Sequence, residues 1–400
     1  MGLTSFHCDA PIRRRPKRVT PDFELLEDAI ELFEKGEHEA SIARTLEHLL
    51  GEAPGDLRKA PLSFVQGSSR IHLSIVGERL ELGVALVRLT DTAKTTAALR
   101  YLLTRISGSG QLHQPRLRGD EVRLEYTDKL SRMHPMKLLE ALRRMPVEAD
   151  EHDDWMADQF GVEPLEREPV EALSEAELER ALAIWQRHWS DVEELLKESQ
   201  RKRSVFFLNE LTAYALFHVQ ALLPLSGAVY SRLSESAITF NASDVDPSRR
   251  EAALAKCAKE MKALGDEALR SCLGHAHHSI SPLADGTKQI LDHYFGESDY
   301  LRAIDGARSS GRHLEAALAC FTTYYYLLAR FSFTEQIEAG LWAGLAQASG
   351  KSLRESTSIL LANGREIHAK LEANEAADDD DGDPDSRHEF DGALEAEGGA

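Results

Sequence analysis

Within Leu62 to Leu89 apolar side chains recur at every second position, from Ile71 to Ile75 and again from Leu80 to Leu86. Ile71, Leu73 and Ile75 fall on one side, with His72, Ser74 and Val76 on the other; Leu80, Leu82, Val84 and Leu86 resume the pattern after Gly77-Glu78. A period of two over this length predicts two half-buried strands joined by a turn. From Asp91 to Ile106 the period lengthens, and Ala98, Leu99, Leu102, Leu103 and Ile106 form one stripe of an amphipathic helix. Arg116-Leu-Arg118 and Val122 to Tyr126 alternate again around Gly119-Asp120, a hairpin signal, and Pro135 to Met145 returns to helical spacing. Antiparallel hairpins with helices on one face make an α+β domain. Its open sheet face is expected to carry Arg79 and Arg123.

A helix pair precedes the strands. Leu25, Leu26, Ala29, Ile30, Leu32 and Phe33 recur with helical spacing up to Lys35-Gly36, and a second helix runs from Glu39 to Leu50. Beyond Leu173 the alternation disappears. Ser174 to Glu177 reads as a capping box, and helical patterns follow at about 174–199, 203–223, 226–238, 247–273, 285–294, 298–309, 312–331, 333–348 and 351–372. The expected organisation is a basic flexible arm over 1–21, an α+β domain over 22–165, an all-helical domain over 173–373 and a disordered acidic tail over 374–400. Residues 1–19 belong to the expected disorder. Ala303 to Phe321 and Ala29 to Leu46 share a helix–Gly–helix rhythm that resembles a tetratricopeptide pair, although two separated pairs make no solenoid.

Charge refines this picture. The formal net charge is −20, and residues 374–400 hold eleven Asp and Glu against one Arg, about half of the excess. Nucleic acid is therefore not an expected partner, since phosphate neutralisation needs a basic face. The four cysteines, Cys8, Cys257, Cys272 and Cys320, are widely spaced and form no CxxC, as expected of reduced thiols in a cytoplasmic protein. No apolar run is read as reaching the ~18 residues of a membrane span, and the basic cluster Arg13 to Arg18 leads into Pro21-Asp22, unlike a secretory signal.

The chemistry-bearing residue types form no catalytic constellation. Ser68 and Ser69 lack a Gly-x-Ser-x-Gly setting, Lys94-Thr95-Thr96 lacks the glycines of a phosphate loop, and no acid stands out in an apolar setting. Cys272, His275, His277 and His278, with His293 further on, are the weak candidates for a metal, because zinc takes Cys and His at short spacings. Against that, His275 and His277 point to different sides of a helix, and Gly274 reads as a helix stop. Trp185, Trp189, Phe206, Phe207, Tyr214, Phe217 and Tyr324 to Tyr326 read as core packing, with a peptide groove as the alternative. No cofactor is expected.

Gln66-Gly67-Ser68-Ser69, the alternating strands, Leu99-Arg-Tyr-Leu-Leu103, the Gly119-Asp120 hairpin, Leu130 to Pro135 and the run Ala149 to Gly161 together resemble the YbjN family. That family's fold is similar to the type III secretion chaperones. The resemblance covers about residues 25–165. It implies a dimerising or partner-binding α+β module, in some members a chaperone, and brings no catalytic residues. Three functional readings follow: a non-enzymatic protein-binding or chaperone-like protein, an enzyme with its site near His275 to His293, and a tetratricopeptide-type adaptor.

Overall fold

A computed structural model describes residues 3–16, 23–91, 93–105, 112–242 and 244–380. The first part is α1 (Phe23–Glu34), α2 (His38–Leu50), β1 (Leu62–Gly67), β2 (Ser69–Val76), β3 (Arg79–Arg88), α3 (Thr95–Arg105), β4 (Gln114–Arg118), β5 (Glu121–Lys129), α4 (Pro135–Phe160) and β6 (Glu163–Pro164). The second is α5 (Glu175–Lys202), α6 (Val205–Leu222), α7 (Gly227–Asn241), α8 (Pro247–Lys262), α9 (Asp266–Arg270), β7 (His277–His278), β8 (Ala284–Asp285), α10 (Lys288–Phe295), α11 (Asp299–Ser309), α12 (His313–Arg330), β9 (Phe331–Ser332), α13 (Glu335–Ala348) and α14 (Leu353–Asp380). The fold is α+β: an antiparallel sheet near the N-terminus, followed by a largely helical half.

The alternation from Ile71 to Leu86 has the expected effect. Ile71, Leu73, Leu80, Leu82 and Val84 are all buried and pack under α2 and α4. The register sets Leu73 beside Leu82 and Leu82 beside Tyr126. One helix is rotated from the expected stripe. Ala98, Tyr101 and Leu102 are the buried residues of α3, whereas Leu103 is 65% exposed. Tyr101 sets this rotation, because its ring stacks on Trp155 of α4 at 4.2 Å.

The helical half packs around Trp185, Trp189, Phe207, Tyr214, Phe321, Tyr324 and Tyr325, so these aromatic stripes are core. The capping box at Ser174 and Glu177 is formed, with the Glu177 amide donating to Ser174 Oγ at 3.4 Å. Helix α6 is long and apolar enough to cross a membrane by length and composition, contrary to the sequence reading, and 67% of that stretch is buried inside the fold. The helix expected over 247–273 is broken after Lys262, at Leu264-Gly265.

Three further expectations change. Residues 3–16, read as flexible arm, form an extended strap across the helical half. Phe6 and Ile12 are 2% and 5% exposed in its core, and the Ile12 and Arg13 amides donate to Leu222 O at 2.8 and 2.9 Å. The cause is those two apolar side chains, whose burial outweighs the Arg and Pro around them. Residues 1–2 and 17–22 lie outside the described residues.

The helical half is also not purely helical. Its two-residue strand β7 adds to the sheet, giving the order β4-β5-β3-β2-β1-β7, and β8 pairs with β9 in parallel. At the other end α14 continues to Asp380, past the expected tail boundary at Asn374, and 381–400 lie outside the described residues. Finally, α1–α2 pack with the sheet and α11–α12 in the helical core, so the two tetratricopeptide-like pairs do not stack into one array.

Candidate functional site

The helices α2 and α4 cover one sheet face; the other is crossed by the chain only in part. Opposite parity to the core residues puts Arg70, His72, Arg79, Glu81, Gly83, Arg116, Arg118, Arg123, Glu125, Thr127 and Lys129 on this outer face. The connection from β6 to α5 lies over its β2 side. Leu165 N donates to Leu86 O at 3.1 Å, and Glu168 N to Ser68 O at 2.8 Å. Glu166 contacts His72 Nε2 at 2.6 Å, and Glu168 receives Arg70 Nε at 2.8 Å. Glu163 meets Arg88 at 3.5 Å. Glu166 holds a left-handed backbone (φ 48°), an uncommon conformation for a residue with a side chain. An acidic stretch of chain, bent at Leu165-Glu166, is thus laid on this face, with the carboxylates of Glu166 and Glu168 set against His72 and Arg70.

Among the described residues the β3–β5 side of the same face has no such cover. A Cβ on Gly83 would meet nothing nearer than Leu124 O at 3.9 Å. A depression of about 450 Å³ lies here between Arg79, Gln114, Arg116, Arg118, Glu125 and Thr127. Arg116 sits directly opposite Arg123, and Arg79 directly opposite Lys129. Like charges in cross-strand register are unfavourable. Arg118 is paired with Glu125 at 2.9 Å, and Arg123 reaches Glu121 only at 3.7 Å. Arg79, Arg116 and the Lys129 ammonium make no ion pair among the described residues. The two like-charged rows are about 20 Å apart along β5, at the usual rise per residue.

The sheet edges are less open than this face. The β1 edge is taken by β7, with Gln66 beside His278 and Gly67 beside His277. The Gln66 amide donates to Ile280 O at 2.7 Å and accepts from Ile280 N at 3.0 Å, and the Ile280 side chain enters the sheet's core. At the other end β4 is five residues long and contains Pro115, which has no amide to offer. Gly67 is required where it stands. Its φ is +63°, and a Cβ there would lie 2.2 Å from the Asp150 carboxyl, which accepts from Ser68 N at 2.5 Å.

The metal candidates are not gathered. Cys272 is buried in the helical core, and His275 pairs through its backbone with Glu171. Gly274 is packed so closely by Val170 that a Cβ would lie 2.4 Å from its Cγ2; the local helix has already ended at Arg270, so Gly274 is no helix stop. His277 and His278 lie in β7, where burial pushes His278 down to about 4 and its Nδ1 faces Gln66 Nε2 at 3.3 Å. His293 packs edge-on against Tyr294. Among the described residues no three His, Cys, Asp or Glu are placed to share an ion.

Two buried polar groups escape a sequence reading. Glu210 of α6 is 7% exposed, and burial pushes its carboxyl up to about 8, against the opposing hydrogen bond from Tyr300 Oη at 3.0 Å. This is the acid in an apolar setting that the sequence did not disclose. Nearby side chains arrive from α11 and α12, Tyr300 and Thr323 among them, so the signal is tertiary. His188 donates from Nε2 to Ala215 O at 3.0 Å and stacks on His218 at 4.7 Å, and burial keeps both rings neutral. Among the described residues no carboxylate hydrogen-bonds to either ring, so neither has a base partner. No protein-family model matches the chain, and no curated protein matches it.

Proposed function

We propose that this chain is a non-enzymatic protein-binding protein, and that its docking surface is the outer sheet face over β3, β4 and β5. The partner is an acidic, extended segment of another protein. The observation that carries this is the chain's own precedent: Glu166 and Glu168 occupy His72 and Arg70 on the same face, while among the described residues the set of Arg79, Arg116, Arg123 and Lys129 lacks an equivalent strip of carboxylates. Charge complementarity would raise the encounter rate and fix the register. Glu81 and Glu125, interleaved with the cations, disfavour a continuous phosphate backbone, as does the overall charge of −20.

The resemblance of residues 25–165 to the YbjN family supports the same reading in its chaperone form, since it implies partner binding without catalytic residues. A cytoplasmic site of action goes with this proposal. The face is preferred over the edges because β7 and Pro115 close or blunt both edges.

The test is peptide binding to the full chain. Fluorescence anisotropy with a labelled peptide of alternating Glu and Thr should show saturable binding at low salt. Arg116→Glu together with Arg123→Glu should abolish it while the circular dichroism spectrum stays unchanged. Binding that survives both substitutions, or no binding at any salt, would overturn the proposal.

A further inference from the structure

The last described residue, Asp380, is followed by a segment with an unusual charge pattern. Its acids are Asp381, Asp383, Asp385, Glu389, Asp391, Glu395 and Glu397, every one at an odd position. In an extended chain, successive side chains alternate between two sides. All of these carboxylates would therefore line one side of the segment when it is extended, and Glu166 and Glu168 show that carboxylates two apart can meet basic side chains on this sheet face. The outer face repeats the same spacing in the opposite sign, with Arg116 and Arg118 two apart on β4.

We propose that residues 381–397 dock on the outer face of their own sheet, over Arg116, Arg123, Arg79 and Lys129, and occupy it until a partner's acidic segment displaces them. This rests on the reading of that face as an acidic-segment site. The tether is long enough. Glu397 lies 17 residues beyond Asp380 and so reaches at most ~60 Å from the end of α14, whereas a folded chain of this size has a radius of gyration of roughly 21 Å and so a diameter of roughly 55 Å. Being covalently attached, the segment acts at an effective concentration on the order of millimolar, so weak contacts suffice.

Of the basic cluster Arg13 to Arg18, the three described arginines are already engaged. Arg13 donates to Gln220 O at 2.8 Å, Arg14 pairs with Glu171 at 2.6 Å, and Arg15 pairs with Glu338 at 3.1 Å. Among the described residues the sheet patch has no such internal partners for Arg79 and Arg116. Its one primary amine, Lys129, also provides a chemical reporter.

The experiment uses the full chain and two readouts. Carbodiimide coupling at low ionic strength, mapped by mass spectrometry, should join Lys129 to an acid of 381–397 within one chain. The yield should fall about tenfold in high salt, because exposed charges are screened, and equally in the Arg116→Glu/Arg123→Glu variant. In parallel, a peptide corresponding to 381–397 is titrated against the wild-type chain and against a full chain whose seven tail acids are changed to Asn or Gln. Binding about tenfold tighter to the neutralised chain is the expected result of removing an internal competitor.

Equal binding to both chains, lost on Arg116→Glu/Arg123→Glu, would overturn the tail inference and leave the docking face standing. No binding to either would overturn both. Coupling that yields only cross-linked dimers would assign the segment to a second copy and overturn docking within one chain. Tail coupling to lysines other than Lys129 would place it elsewhere and overturn it as well.

Discussion

Glu210 shows how one residue's setting becomes a measurable property of the whole chain. Its carboxyl is raised from an ordinary 4.5 to about 8 because α6, α11 and α12 exclude water from it. Between those values the folded chain holds a proton that the unfolded chain has released. The contribution of Glu210 to stability is therefore full below about pH 4.5, falls as pH rises through that window and levels off above about 8. The loss is on the order of a few kcal/mol, since each pH step of one across that window is worth about 1.4 kcal/mol. Urea melts from acid to alkaline pH should show this slope, and Glu210→Gln, which can still accept from Tyr300, should flatten it. A slope unchanged by the substitution would assign the effect to other groups. Gly67 makes a second residue-scale test. Gly67→Ala must place a methyl group against the Asp150 carboxyl at a left-handed φ, and an equilibrium denaturation curve should show a loss of about 1–3 kcal/mol.

At the scale of elements, the strands were legible and the joints between halves were not. Ile71, Leu73 and Ile75 could be placed because a period of two has one buried face, and a slip of one residue would expose all three. The rotation of α3 differs from the expected stripe by about one position, since Leu99 and Leu103 look as apolar as Ala98 and Leu102. What decides is Tyr101 against Trp155, a contact between distant parts of the chain. Leu102→Ala should therefore cost about 2–5 kcal/mol and Leu103→Ala well under ~1 kcal/mol. Equal losses in thermal melts would contradict the rotation.

Strand β7 carried no periodic signal, being two histidines long; it exists because Gln66 satisfies both backbone groups of Ile280. The face proposed for docking was legible only in part. Arg79 and Arg123 could be assigned to it from parity, but the like-charged opposition of Arg116 to Arg123 depends on the register of β4 against β5.

At the scale of the molecule, two hydrophobic cores are held together by elements that each half lends to the other. The helical half supplies β7 and Ile280 to the sheet. Helix α7 meets α3 and α4, where Tyr101 Oη donates to Glu235 at 2.6 Å and Arg232 pairs with Asp158 at 2.7 Å. The strap runs from Phe6, whose carbonyl accepts from Gly350 N at 2.8 Å, to Arg14, which reaches Glu171 in the connection lying on the sheet. Such sharing couples the cores, because melting one half strips groups in the other of their partners. Calorimetry of the full chain should then give one cooperative transition. Phe6→Ala removes an aromatic ring from the helical core, a change of about 3–5 kcal/mol, and should lower that single transition as a unit. Near-ultraviolet signals from the sheet's Trp155 and from Trp185 and Trp189 of the helical core should disappear together. If Phe6→Ala instead splits the transition, with only the helical part moving down, the shared elements do not couple the halves, and the sheet is an independent folding unit.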